Sequence, residues 1–258
     1  MIALQRVSKS FDGAASFAVR QVTLDVPERS FLAVVGESGS GKTTLLKLIN
    51  RLLEPDEGSV AIAGRPAQSL PPYALRRRIG YVFQGVGLFP HMSIAENVGI
   101  TPRIIGWPEP EIRARVDELI DLVALPRAYL TRKPAELSGG QRQRVGIARA
   151  LAARPAIMLM DEPFGALDPV TRDTLGDEYR RLHDAMQLTT VMVTHDVMEA
   201  VLLADRIVVM RAGSVAADGP PHELLAAHPD PAVRALMDMP RRQAERVRAL
   251  IEERSARG

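Results

Sequence analysis

Cysteine is absent from this sequence. Disulfides, thiolate metal sites and cysteine nucleophiles are therefore excluded, which fits a reducing cytosol. Long hydrophobic runs are absent as well. No unbroken apolar stretch exceeds about five residues, against the roughly 20 that a bilayer-spanning helix needs. The opening "MIALQRVSKSF" has no apolar core followed by a cleavage site, so nothing points to secretion. Nor does one sign of charge dominate. Thirty-three basic and 31 acidic residues leave a formal net charge of +2, so this is not the composition of a nucleic-acid-coating protein, and no nucleic-acid partner is expected. Basic residues do gather in "LRRR" at 75–78 and in "RRQAERVRALIEERSARG" at 241–258. Both read as solvated helix faces, with a polyanion site as the alternative. What is present is ordinary for a globular chain: 258 residues, 46% hydrophobic and 25% charged, enough for one large α/β unit or a core with a subdomain.

The first 35 residues read as strands. "IALQRV" and "VTLDV" alternate apolar and polar, and "FLAVV" is a short apolar run of the buried kind. "LLKLINRLL" has helical spacing, "GSVAIAG" and "IGYVFQ" read as strands, and "PPYALRRR" between them as a short helix. From about 88 to 136 the texture turns helical, with proline breaks near 102, 108, 126 and 134, and reads as an inserted helical subdomain. "GGQRQRVGIARALAA" is a helix, "AIMLMDEP" a strand closing on two acids, "TRDTLGDEYRRLHDAM" a helix and "TTVMVTH" a strand. "DRIVVMRAGSVAADG" reads as a hairpin around Ala212 and Gly213. Strands alternating with helices predict an α/β fold: a mostly parallel sheet core, N-terminal antiparallel strands and the helical insertion.

The run from Gly36 through Glu37, Ser38, Gly39, Ser40, Gly41, Lys42, Thr43 and Thr44 matches the phosphate-loop pattern, with a strand before it and a helix after. The glycines let the backbone wrap phosphate oxygens with inward N–H groups, and the helix N-terminus adds partial positive charge. Lys42 suits the β- and γ-phosphates, and the Thr43 hydroxyl suits Mg²⁺. Four apolar residues put Asp161 at the end of its strand, where parallel sheets bind ligands; it suits Mg²⁺. Glu162 beside it could polarise an attacking water as a general base. Kinases, GTPases and motor ATPases share these parts, so further features must separate them.

"LSGGQRQR" at 137–144, followed by a strand ending in "DEP", resembles the ATP-binding-cassette (ABC) ATPases, and the likeness covers essentially the whole chain. The resemblance implies an ATPase domain over 1–230 and a C-terminal helical extension over 231–258. It implies that Ser138, Gly139, Gly140 and Gln141 are offered to the γ-phosphate held by a partner subunit, two subunits sandwiching two ATPs. Asp168 in "GALD" matches the loop that crosses this dimer interface. Gln84 matches the glutamine expected near Mg²⁺ and the attacking water, and His195, in "TTVMVTHD", the switch histidine on the γ-phosphate. Phe11 stands where the family places the aromatic that stacks on adenine, with Phe17 as competitor and a core role open for either. ATP and Mg²⁺ are the implied cofactors, with Glu162, His195, Gln84 and Lys42 the catalytic set and Thr43, Gln84 and Asp161 the metal set.

"GVGLFPHMSIAENVG" is similar to the importer-type cassettes of bacteria, whose corresponding loop touches a membrane subunit; Phe89, Pro90, His91 and Met92 are the candidate contacts, local packing being the alternative. "NRLLEPDEGSV" and "TPRIIGW" resemble cassettes of osmoprotectant importers for glycine betaine, carnitine or choline. The resemblance implies a second ATPase subunit (a homodimer), integral membrane permease subunits, an extracytoplasmic substrate-binding protein engaged indirectly, and a peripheral place on the cytoplasmic face of the inner membrane. Many such cassettes continue into paired regulatory CBS domains, and none is expected within these residues. An importer ATPase for another small solute, such as an amino acid, sulfonate or polyamine, is the competing expectation. A soluble non-transport ABC ATPase stands further off, because one cassette, no cysteine and near-neutral charge do not suit it.

Overall fold

The computed structural model describes residues 1–13, 16–226 and 228–242, with 245, 246 and 248. An antiparallel sheet begins with β1 (Ile2–Ser10) and β2 (Phe17–Val26), and β3 (Phe31–Val35) opens the central sheet. Helix α1 (Lys42–Ile49), β4 (Glu57–Ile62), the two-residue β5 (Arg65–Pro66), α2 (Pro72–Arg76) and β6 (Ile79–Val82) follow. Helices α3 (Ile94–Ile104) and α4 (Glu109–Leu122) occupy the insertion, and α5 (Gly139–Leu151) leads to β7 (Ile157–Asp161). The chain continues through α6 (Pro169–Met186), β8 (Thr189–Val193), α7 (Val197–Leu203), β9 (Arg206–Arg211), β10 (Ser214–Gly219), α8 (Pro221–Ala226) and α9 (Pro231–Met237). The C-terminal helical extension expected over 231–258 opens with α9, and beyond 242 it lies largely outside the described residues.

The first sheet runs β2-β1-β4-β5 and the central one β10-β9-β3-β8-β7-β6. In the latter β9, β3, β8, β7 and β6 pair in parallel, and β10 closes the edge antiparallel to β9. Its central strands read as unbroken apolar runs because both faces are covered. In β3, Phe31, Ala33 and Val35 enter one hydrophobic cluster, while Leu32 and Val34 enter the other. Met158 and Met160 of β7 face the first, Ile157 and Leu159 the second. The first cluster is filled by α3 to α7. The second holds Leu45, Leu46, Leu48 and Ile49 of α1 and the inner face of the antiparallel sheet. Helix α1 is therefore trapped between the two sheets, which fixes the loop that precedes it. No helix among the described residues is long and apolar enough to cross a membrane.

Three expectations need correction. Pro102 does not break its helix; it sits buried inside α3, near the end. The lost N–H costs a single bond in the last turn, and the Ser93 capping box together with packing on α4 and α5 holds the rest. Gln84 does not end a strand: β6 stops at Val82, ahead of a turn in which Gly85 and Val86 have φ of 77° and 68°. Likewise β8 stops at Val193, two residues before His195. Helix α7 went unread in the sequence. Its signal is the capping pattern Asp196 to Glu199, with the Asp196 side chain accepting the N–H groups of Met198 and Glu199.

Candidate functional site

Strand β3 feeds the loop at 36–41, whose shape depends on glycine. Gly36 and Gly41 have φ of 152° and 101°, and a Cβ at Gly41 would lie 2.0 Å from the Ala18 carbonyl oxygen. Gly41 also precedes α1 as its N-cap and supplies no side-chain acceptor. The first N–H groups of the helix thus remain available to an anion from outside. They border a cavity of about 360 Å³ lined by Ala18, Ser38 to Thr44, Gln84 and Glu162.

Lys42 Nζ is folded onto its own loop, donating to the carbonyls of Gly36 at 2.7 Å and Glu37 at 2.8 Å. Burial lowers its pKa, and the charges of Glu162 and Asp161 oppose that shift. Ser40 Oγ is buried with no hydrogen-bond partner, an orphan that a ligand oxygen in this cavity would satisfy. Asp161, 4% exposed, accepts the Thr43 hydroxyl at 2.9 Å. Burial raises its pKa, Thr43 opposes, and the charge of Glu162 adds to the rise. A cation would relieve this strain. The hydroxyl, carboxylate and amide oxygens of Thr43, Asp161 and Gln84 are hard donors of the kind that fit Mg²⁺.

Glu162 leaves β7 in a left-handed conformation, φ 46°, its N–H held by the Val193 carbonyl at 2.9 Å. That turn aims its carboxylate between two partners. Gln84 Nε2 donates to Oε2 at 3.1 Å, and His195 Nδ1 lies 3.4 Å from Oε1. Gln84, Glu162 and His195 come from the loops after β6, β7 and β8, adjacent strands whose C-terminal ends share one rim. The three side chains therefore meet although they lie far apart in sequence.

Other anticipated residues lie elsewhere. Ser138 caps α5, accepting the Gln141 N–H at 3.3 Å while Gln141 Oε1 accepts the Ser138 N–H at 2.9 Å. Asp168 caps α6 through the Thr171 N–H at 3.0 Å. Neither these caps nor Gly139 and Gly140 line the cavity. Phe11 is 65% exposed with Lys9 Nζ 5.9 Å from its ring, so it is not a core residue; neither it nor Phe17 lines the cavity.

Two supporting residues escaped the sequence reading. Arg149 of α5, 7% exposed, donates at 2.7 Å to each of the Val86 and Gly87 carbonyls and so fastens the loop after Gln84. Its signal was an arginine among small apolar residues on the buried helix face. Asn97, fully buried, accepts the Phe89 N–H at 2.8 Å and donates to the carbonyls of Phe89, Met92 and Ser93, shaping the loop at 89–93. On that loop Phe89 is 40% exposed and meets His91 edge to face.

The sequence profile of the family described as "ABC transporter" matches residues 19–165. The chain belongs to the ABC transporter family. Within the family it is similar to the glycine betaine/carnitine/choline transport ATP-binding protein OpuCA of Bacillus subtilis, 49% identical over 87% of this chain and 59% of that one. The glycine betaine uptake system ATP-binding protein YehX of Escherichia coli is 49% identical, over 87% and 72%. The sulfate/thiosulfate import ATP-binding protein CysA of Thermosynechococcus vestitus is 48% identical, over 86% and 65%. The chain therefore spans about six tenths of the length of OpuCA. Among solved structures it resembles the dimeric ATP-binding cassette MJ0796 bound to ADP and Pi, with a TM-score of 0.78 and 34% identity over 85% of this chain and 98% of that one. The fold, an antiparallel N-terminal sheet beside a mostly parallel core, is that of the ABC ATPase cassettes.

Proposed function

We propose that this chain is the ATP-hydrolysing subunit of an ABC importer for quaternary-amine osmoprotectants, the glycine betaine, carnitine or choline class. It would act at the cytoplasmic face of the membrane with separate permease subunits and, through them, an extracytoplasmic binding protein. The observation that carries hydrolysis is the meeting of Gln84, Glu162 and His195 beside Lys42 and Asp161.

The chemistry follows from those groups. Water attacks the γ-phosphorus in line, the bond to the bridging oxygen breaks, and ADP and phosphate leave. Glu162 accepts the proton of the water, Gln84 orients it, and His195 and Lys42 meet the charge on the γ-phosphate. Thr43, Asp161 and Gln84 would hold Mg²⁺, which would supply charge neutralisation across the phosphates. Ser138 to Gln141 and Asp168, outside the cavity of their own chain, would complete the site of a second copy. Phe11, exposed and outside the cavity lining, is the adenine platform in this reading.

The solute class rests on the names of OpuCA and YehX and on the "TPRIIGW" stretch at the end of α3. CysA, at 48% identity, supports a second reading, an importer cassette for another small solute. Two experiments decide. Glu162→Gln should bind ATP, turn over almost none and accumulate as a dimer; a variant that stays monomeric in saturating ATP counts against the sandwich. Uptake of labelled glycine betaine at raised osmolarity, in cells lacking this protein, should be restored by wild type and not by Glu162→Gln. Failure of both proteins, each expressed and membrane-associated, removes the osmoprotectant assignment and leaves the cassette.

A further inference from the structure

The turn that carries His195 is held by side chains for which hydrolysis, as described, has no use. Thr194 Oγ1 donates to Glu199 Oε2 at 2.6 Å and accepts the Asp196 N–H at 3.0 Å. Asp196 caps α7 with one carboxylate oxygen and takes Arg172 Nη1 on the other at 2.8 Å. Arg172 lies one turn into α6, and its Nη2 donates at 3.3 Å to the carbonyl of Leu167, the residue before Asp168. Its Nε sits 3.6 Å from Glu199 Oε1, and neither of these buried atoms has a hydrogen-bond partner. One guanidinium thus holds the backbone beside Asp168 and Asp196, the residue after His195, and lies against Glu199. A fork with fixed donor geometry can do this where a single ammonium cannot.

We infer that Arg172 is a positioning residue, locking the Leu167–Asp168 turn and the His195 turn into one geometry and thereby holding the imidazole against Glu162. The inference rests on the hydrolytic reading of His195. Displacement at the partner-facing side of Asp168 would then reach His195 through one side chain.

The test reads His195 directly. The chain has five histidines, and the Cε1–H signal of His195 is assigned by its loss in His195→Ala. Arg172→Gln shifts that signal and Arg172→Lys shifts it less. Arg144→Gln, which cuts a different half-buried ion pair, with Glu178, leaves it in place. In ATP hydrolysis, Arg172→Gln lowers kcat by about 10- to 100-fold while KM stays within about twofold, the pattern of a misplaced group rather than a weakened binding site. In a His195→Ala background the same substitution costs no more than about twofold, because the two act as a unit. An unmoved His195 signal overturns the inference, and so does a full additional loss in the His195→Ala background. A wild-type chain that turns over no ATP removes the hydrolytic reading instead, and the signal still decides the clamp.

Discussion

Replacing Arg149 by methionine isolates what holds the loop between Gln84 and the segment at 89–93. Both Nη atoms donate at 2.7 Å to the carbonyls of Val86 and Gly87. Hydrogen bonds from a charged donor contribute about 1.5–3 kcal/mol each, so the pair contributes about 3–6 kcal/mol. Burial of the guanidinium, which also lowers its pKa, offsets part of that gain. Methionine removes the charge and refills much of the space, but strands two carbonyls without donors. The net loss is then about 2–4 kcal/mol. For a chain of this size about 2–4 °C of Tm goes with each kcal/mol, so Tm should fall by roughly 5–15 °C. Since Val86 follows Gln84 by two residues, kcat of ATP hydrolysis should fall as well. Nucleotide affinity, set by the loop at 36–44, should change little. Calorimetry, steady-state kinetics and a nucleotide titration read the three quantities. A Tm within about 2 °C of wild type, with normal kcat, would refute the reasoning.

Gly41→Ala places a methyl 2.0 Å from the Ala18 carbonyl oxygen, so nucleotide binding should vanish in a titration with a fluorescent ATP analogue. Retained affinity would show that the loop can open without loss. Asn97→Ala strips four hydrogen bonds from the loop at 89–93, and limited proteolysis should become faster there while Tm falls by several degrees. His183 is 1% exposed, and burial lowers its pKa below the ordinary 6.5. The unfolded chain therefore takes up a proton first on acidification. The stability from keeping this ring neutral is complete above 6.5 and is lost as pH falls from there through the lower pKa of the folded state. His183→Gln should flatten the decline of Tm between pH 7.5 and 5.5, and an unchanged slope removes His183 as its source.

Much of the architecture was legible because its strands are buried on both faces. "FLAVV" and "IMLM" carry no alternation to misread, and each empties at its C-terminal end into residues of a different kind, the phosphate loop and Asp161-Glu162. Local patterns carried the rest of that reading. Glycines at 36 and 41 are demanded by close backbone approach. The chain alone thus determined most of the elements and their order, α7 excepted, and the glycine-dependent loop at 36–41.

Relations between segments far apart in sequence were decided only in three dimensions. Gln84, Glu162 and His195 share a rim because β6, β7 and β8 lie side by side, and strand order is set by packing between the two hydrophobic clusters rather than by any local preference. Arg149 and Asn97 looked like ordinary helix residues until burial left their donors no solvent and delivered loop carbonyls to them, distant in sequence for Arg149 and from the adjoining loop for Asn97. Pro102 looked like a break because a lone helix has nothing to offset its missing bond, whereas packing against α4 and α5 does so here. Side-chain chemistry was readable from composition and spacing; that Gln84, Glu162 and His195 would meet was implied only by the family resemblance, because proximity is a property of the packed core and not of the neighbouring letters.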